Sequence, residues 1–302
     1  MFDQSVQLYD ARALAVVVAV LAAVAGSARG RAADVPAPDK SAYTLLNPTP
    51  RELMRDLSTD RPDTTESAYT VDAGHVQIEL SLVDFTYDRH NDDGTTLRAV
   101  TVAPMLIKMG LLNNVDLQIG VDPYTREKTG DDAAGTSQTA EGFGDTVVRL
   151  KVNLWGNDGP GDVGDTALAI MPFIKFPTAA DGLGNGNIEG GLIVPLAVVL
   201  PEEFSLGLMA EIDFNRSAAD DRYVVDFVHT VTVSRALWGD LGGYVEYAGF
   251  VNLNGDEDYR GYFDAGLTYG LTADVQFDVG VRVGLTEAAD DVGVFAGVSV
   301  RH

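Results

Sequence analysis

The chain has 302 residues and a formal net charge of −24, from 45 acidic and 21 basic side chains. So acidic a protein repels polyphosphates, which excludes electrostatic binding of nucleic acid. Cysteine is absent and histidine occurs only four times, which removes disulfides, thiolate metal sites and thiol nucleophiles and leaves little imidazole chemistry.

The N-terminus carries one apolar run, residues 13–26, too short for a stop-transfer helix. Small residues follow it: Gly26, Ala28, Gly30 and Ala32. This pattern predicts a secretory signal peptide over residues 1–32, with a buried helix of a soluble domain as the alternative. No later apolar run approaches the ~20 residues of a membrane helix, so any later membrane crossing must use strands.

Residues 33–73 form a distinct N-terminal segment. A Pro-rich, acidic stretch over 34–40 precedes Thr49-Pro50-Arg51-Glu52, which carries helix-start signals. Leu53, Met54 and Leu57 would give that short helix one apolar side. A segment in this position either folds into or beneath the following domain, with Arg51, Arg55 and Arg61 as partners for Glu79 or Asp116, or stays a tether.

Residues 74–302 repeat a short alternating strand followed by a turn. In 275–284, for example, Val275, Phe277, Val279, Val281 and Val283 alternate with Gln276, Asp278, Gly280, Arg282 and Gly284. Strict period two means one apolar and one polar face. We expect twelve strands, over 75–88, 97–109, 115–122, 145–155, 166–176, 188–200, 205–215, 223–237, 243–252, 260–270, 275–284 and 292–301. Connections alternate between short turns and longer polar loops, notably 125–144, 177–187 and 216–222. Tyr124, Trp155, Phe176, Phe204, Tyr223, Trp238 and Tyr262 sit near strand ends, where interfacial girdles lie. A soluble sandwich also alternates. The continuous apolar face, the girdle and the signal peptide favour an all-β, antiparallel transmembrane barrel in the outer membrane of a Gram-negative bacterium.

Three stretches resemble one bacterial family: Asp60-Arg61-Pro62-Asp63, then Glu66-Ser67-Ala68-Tyr69-Thr70-Val71, then Gly74-His75-Val76-Gln77-Ile78-Glu79. Gly142-Phe143-Gly144-Asp145, Lys175-Phe176-Pro177-Thr178 and Tyr269-Gly270-Leu271-Thr272 are similar as well. The chain is identified as similar to outer-membrane barrels catalogued as "putative MetA-pathway of phenol degradation", or transporter, from about residue 60 onward. The resemblance implies an outer-membrane channel for passive uptake of small molecules, aromatic or hydrophobic compounds among them. It also implies barrel-assembly machinery as a partner, although such barrels often end in an aromatic residue and this chain ends Val300-Arg301-His302.

The phase puts Glu79, Asp116, Asp122, Glu189, Glu211, Asp213, Asp226, Glu246, Asp264 and Asp278 on the inward face, with Arg149, Lys151, Lys175 and Arg282 as its fewer bases. An open, acid-lined pore would favour cations; charges paired across strands would instead fill the lumen. No cofactor or metal is expected. An enzyme is disfavoured, because His229 shares the outward phase while Ser234 lies on the other face. The partners expected are outer-membrane lipid and a small solute. A structural or adhesive barrel acting through its outer loops is the alternative function.

Overall fold

A computed structural model describes residues 38–89, 95–131, 134–158, 161–217, 222–255 and 257–302. The expected signal peptide lies outside these residues. The alternating sequence folds into strand segments β1 (Val76–Asp88), β2 (Thr96–Val102), β3 (Met105–Leu112), β4 (Val115–Val121), β5 (Tyr124–Asp131), β6 (Thr136–Gly142), β7 (Thr146–Trp155) and β8 (Thr166–Phe176). Then come β9 (Glu189–Val199), β10 (Phe204–Arg216), β11 (Tyr223–Trp238), β12 (Leu241–Asn252), β13 (Arg260–Thr272), β14 (Val275–Gly284) and β15 (Val292–Arg301).

The segments pair in the order β15-β14-β13-β12-β11-β10-β9-β8-β7-β4-β3-β1-β2-β5-β6, and β15 closes on β1. β2 and β3 form one interrupted stave, broken at Ala103-Pro104; both pair with β1, in its outer and inner halves. β4 and β5 form another, broken at Asp122-Pro123, and β6 and β7 a third. The result is a closed antiparallel barrel of twelve staves. Closure leaves no lipid-exposed edge in the membrane layer, the condition under which strands can cross it. No helix among the described residues is long and apolar enough to cross a membrane.

Alternation sets the two faces. Val279 is 51% exposed on the outer wall, while its neighbour Asp278 is 5% exposed on the inner one. Trp155, Phe176, Tyr223 and Trp238 are exposed at strand ends. Tyr262 departs from the expected girdle: it is 7% exposed and packs inside with Ala248 and Ala289.

Two further expectations are corrected. The loop expected over 125–144 is largely β5 and β6, a hairpin paired from Thr125↔Gly142 to Asp131↔Thr136. Its side chains are polar on both faces, so it carries no alternation to read. The helix expected after Thr49 is a single 3-10 turn, Arg51–Leu53, with no side-chain cap. Thr49 is instead buried, its N–H donating to Ala73 O at 2.9 Å. Tertiary pairing has replaced the local cap.

Residues 38–75 form a strap that hydrogen-bonds to side chains of β1, β3, β4, β7, β11, β12, β14 and β15. Those strands surround the barrel, so the strap crosses its interior. Two glycines mark where strap and wall touch. A Cβ at Gly110 would lie 2.1 Å from Asp72 O, and one at Gly297 would lie 2.5 Å from the Arg61 guanidinium.

Candidate functional site

The interior of the barrel is the candidate site, and its geometry follows from how the strap is held. On one side lies a buried ionic cluster. Asp60 of the strap pairs with Lys108 of β3 at 2.7 Å and with Lys151 of β7 at 2.6 Å. Lys108 also reaches Glu79 of β1 at 2.8 Å, and Glu79 accepts the Asp60 N–H at 2.9 Å. Burial alone would raise the Asp60 carboxyl, but the two ammonium groups outweigh it and hold the group well below the usual carboxylate range. Around this cluster Asp116 accepts the Val71 N–H at 2.9 Å, Asn153 donates to Ala68 O at 2.8 Å, and Asn157 accepts from the Thr70 N–H at 3.1 Å. Buried charges need this matching, because an unpaired one costs several kcal/mol (~3–5).

The other side is held by a second set of bonds. Glu246 of β12 accepts from the Thr64 N–H at 2.7 Å and the Thr65 N–H at 2.8 Å, and Arg61 pairs with Asp278 of β14 at 2.7 Å. Between the strap and the β9–β14 wall lies a cavity of about 850 Å³. Leu57, Asp63 and Tyr69 line it from the strap, and Gly207, Thr232 and Tyr244 from the wall. Higher in the barrel, Met171, Ile193, Met209 and Val228 form a buried apolar cluster against Phe173 and Phe250.

The residues expected inside fall into groups. Glu79, Asp116 and Lys151 sit in the anchoring cluster. Arg149 pairs with Glu66 of the strap, Glu246 cradles the turn at Thr64–Thr65, and Asp278 holds Arg61. Asp264 pairs with Arg282 at 3.1 Å, and Arg282 also reaches Thr64 Oγ1 at 3.1 Å. Glu189 pairs with Lys175, away from the strap. Asp226 accepts from Asn215 at 2.7 Å and from Asn252 at 2.9 Å. Glu211 and Asp213 stand two residues apart on β10 and are half-buried. Asp122 is half-buried at the β4–β5 break, where its carbonyl accepts the Gly144 N–H at 2.9 Å.

The expected strap partners were different. Arg51 pairs with Asp274, Arg55 with Asp158 at 2.9 Å, and Arg61 with Asp278. Among the described residues neither Glu79 nor Asp116 has an arginine partner; Glu79 is matched to Lys108. Asp60 and Lys108, the centre of the cluster, were missed. Lys108 is 0% exposed within Met105-Leu106-Ile107-Lys108-Met109, an apolar run whose phase is unreadable. A lone lysine in such a run was the available signal. His229 stacks on Phe227 and Tyr259, at centroid distances of 5.6 and 6.2 Å, and its register partners are Ala210 and Gly249.

The model of one protein family, described as "Putative MetA-pathway of phenol degradation", matches residues 59–302. Among solved structures, an outer membrane channel from Pseudomonas putida F1 is similar with a TM-score of 0.62 at 11% identity, over 81% of this chain and all (100%) of that one. The translocator domain of the autotransporter NalP from Neisseria meningitidis gives a TM-score of 0.48 at 11% identity, over 76% of this chain and 88% of that one. The NanC porin gives 0.47 at 12% identity, over 74% and 98%. No curated protein sequence matches the chain. A closed antiparallel barrel with an apolar outer wall belongs in the outer membrane of a Gram-negative bacterium.

Proposed function

The chain belongs to the outer-membrane family described as "Putative MetA-pathway of phenol degradation", and from that premise we propose that it is a channel for passive uptake of small molecules. Aromatic or hydrophobic compounds are among its solutes; Glu79, Asp116 and Lys151 are buried in the cluster that anchors the strap, so the route runs on the opposite side, within an inward face that also carries Asp122, Glu189, Glu211, Asp213, Asp226, Glu246, Asp264 and Asp278, with Arg149 and Arg282. The observation that carries this reading is the cavity of about 850 Å³ left between the strap and the β9–β14 wall. The cavity is open to solvent among the turn residues Glu203, Gly239, Asp240 and Asp274, as the mouth of a route into the barrel would be. Twelve staves also give a wider interior than the eight-stranded barrels that side chains fill.

The test is solute flux through the purified protein in liposomes. Entry of a small aromatic such as benzyl alcohol, faster than in protein-free vesicles and with a large oligosaccharide excluded, is the expected result. Flux no faster than in protein-free vesicles overturns the reading. One observation favours a second reading, an adhesive or structural barrel. The β5–β6 hairpin is polar on both faces, and among the described residues β6 pairs only with β5. In that case flux is absent, and deleting the hairpin tip changes surface adhesion.

A further inference from the structure

The lipid-facing wall changes character where it reaches the β5–β6 hairpin. Val281, Val294, Phe85, Val100, Arg126 and Glu141 are successive register partners across β14, β15, β1, β2, β5 and β6. Val283, Val292, Tyr87, Arg98, Lys128 and Thr139 form the next row. In the row beyond Val281, Val83 partners Val102 and Val102 partners Tyr124. Residues directly opposite each other in antiparallel strands share a face, so all of these lie on the side of Val279, the outer wall. Strands of a membrane barrel are tilted, so a row perpendicular to them runs obliquely through the layer. The change from valine, past Tyr87 and Tyr124, to Arg98, Arg126 and Lys128 marks where the wall leaves the hydrocarbon. The Val76 N–H donates to His302 O at 3.0 Å, so β1 begins where β15 ends, at the end of the barrel that carries the short turns at 113–114, 239–240 and 273–274. The hairpin stands at the other end, among the longer loops, which in such barrels is the outer surface.

The chain has a net charge of −24, yet this face of the hairpin is basic. Glu141 is the one acid in these rows; it accepts from the Tyr124 hydroxyl at 3.1 Å and lies 3.4 Å from Arg126. Arg98 and Lys128 are exposed and have no ion pair among the described residues. They stand directly opposite each other across β2 and β5, where like charges destabilise a strand pair unless an anion lies between them. The Arg98 guanidinium lies 5.6 Å over the Tyr87 ring, which keeps it against the wall.

We propose that this patch binds a phosphate-bearing lipid of the outer leaflet, with the phosphate held by Arg98, Arg126 and Lys128 and the acyl chains lying on Val83, Phe85, Val100 and Val102. A phosphate monoester brings close to two negative charges and three acceptor oxygens, which suits two guanidinium forks and an ammonium better than a carboxylate does. The apolar wall is continuous with the bases, so a lipid gains contacts that a soluble phosphate lacks. The lipid also relieves the repulsion between Arg98 and Lys128. Such binding fastens the barrel to its surroundings whether or not a solute passes through the lumen.

Native mass spectrometry of the full-length protein in non-ionic detergent tests this, with lipid A, a phosphorylated glycolipid of Gram-negative outer leaflets, against the same glycolipid stripped of its phosphates. Lipid A should bind about tenfold or more tighter. Raising the salt from about 0.05 M to about 0.5 M should weaken lipid A and leave the stripped glycolipid unchanged. Arg98→Gln combined with Lys128→Gln should cost lipid A about tenfold, while Glu141→Gln, which removes the acid of the patch, should tighten it about twofold. Arg235→Gln makes the same charge change at the opposite end of the barrel and should stay within about twofold of the unmodified protein. Equal affinity for the two glycolipids overturns the proposal, and so does a preference for lipid A that survives the double variant. Displacement of lipid A by an equimolar amount of inorganic phosphate would assign the bases to a free anion and overturn the lipid.

Discussion

Both walls that face the strap hold it through buried charges, but only one of them leaves open volume beside those anchors. On the β3, β4 and β7 side, Lys108, Gln118, Lys151 and Asn153 are at most 3% exposed, and each one is bonded to the strap or its cluster. On the β10–β14 side Glu246 and Asp278 are anchors of the same kind, but beside them the wall is Gly207, Thr232, Tyr244 and Thr268, uncharged groups around open volume. The difference teaches how one short segment can both obstruct a barrel and leave a route through it. Fully buried charges tolerate no slack, so they fix the segment. Glycines and hydroxyls tolerate water or a solute, so the far side can stay open. A solute on that route need not unseat Asp60.

The largest effect should come from breaking the fixed side. Lys108→Met leaves Glu79 without its cation and Asp60 with only Lys151. We expect a loss of about 3–5 kcal/mol in urea unfolding of the barrel. Single-channel conductance in planar bilayers should rise as the strap loosens, and deleting residues 41–60 should raise it as well. Stability within about 1 kcal/mol of the unmodified protein would mean that the cluster does not hold the strap. Unchanged conductance on deletion would remove the constriction.

Next in size is the contrast between the lipid face and the lumen. Val279→Arg should cost about 2–4 kcal/mol near the membrane midplane. Alternation alone makes the adjacent Asp278 a tolerant, polar-facing position. The structure reverses that expectation, because Asp278 is buried against Arg61. Asp278→Asn should cost about 1–3 kcal/mol, less than Val279→Arg but well above zero. The check is the order of the two midpoints, and a neutral Asp278→Asn would return the strap to the status of a loose tether.

These reversals show where the sequence was legible. Staves such as β8, β14 and β15 were readable because lipid on one side and polar groups on the other impose period two. Thr125-Arg126-Glu127-Lys128 was not, since β5 there has polar side chains on both faces. Lys108 was hidden for the opposite reason, in an apolar run with no polar neighbours to set the phase. Tyr262 was misread because an aromatic near a strand end suits either face. The strap's partners were the least legible of all. Asp60 is 91 residues from Lys151 and Arg61 is 217 from Asp278, and no local pattern encodes such a pairing.

A smaller effect should follow from pH. Burial alone would raise Asp158, but hydrogen bonds from Lys40 and Asn113 and the Arg55 charge outweigh it, so its carboxyl titrates below the usual value. Asp60 is displaced in the same direction. A carboxyl depressed in the folded state contributes stability above its unfolded value, near ~4, and that contribution is lost as the pH falls through the folded value. The fixed side should therefore loosen on acidification below about pH 4 and stay shut at neutrality. Hydrogen exchange of the strap amides Val71 and Thr70 at about pH 3.5 and about 7, corrected for the intrinsic rate, reads this directly. Equal protection at both values would mean that neither carboxylate contributes to docking.

The smallest effect marks the outer limit of the comparison. Arg126 and Glu141 pair at 3.4 Å across the β5–β6 hairpin, with side chains 56% and 54% exposed. Both are long, solvated and screened by salt, so the pair is worth about 0–1 kcal/mol at most. It touches neither the strap nor the cavity. Glu141→Gln should leave the unfolding midpoint and the conductance as they are, whereas Lys108→Met changes both. Because the hairpin is the surface on which an adhesive role would act, the same variant also separates the two functional readings. Altered adhesion with unaltered conductance assigns the hairpin a role of its own, and altered conductance would bring it into the permeation route.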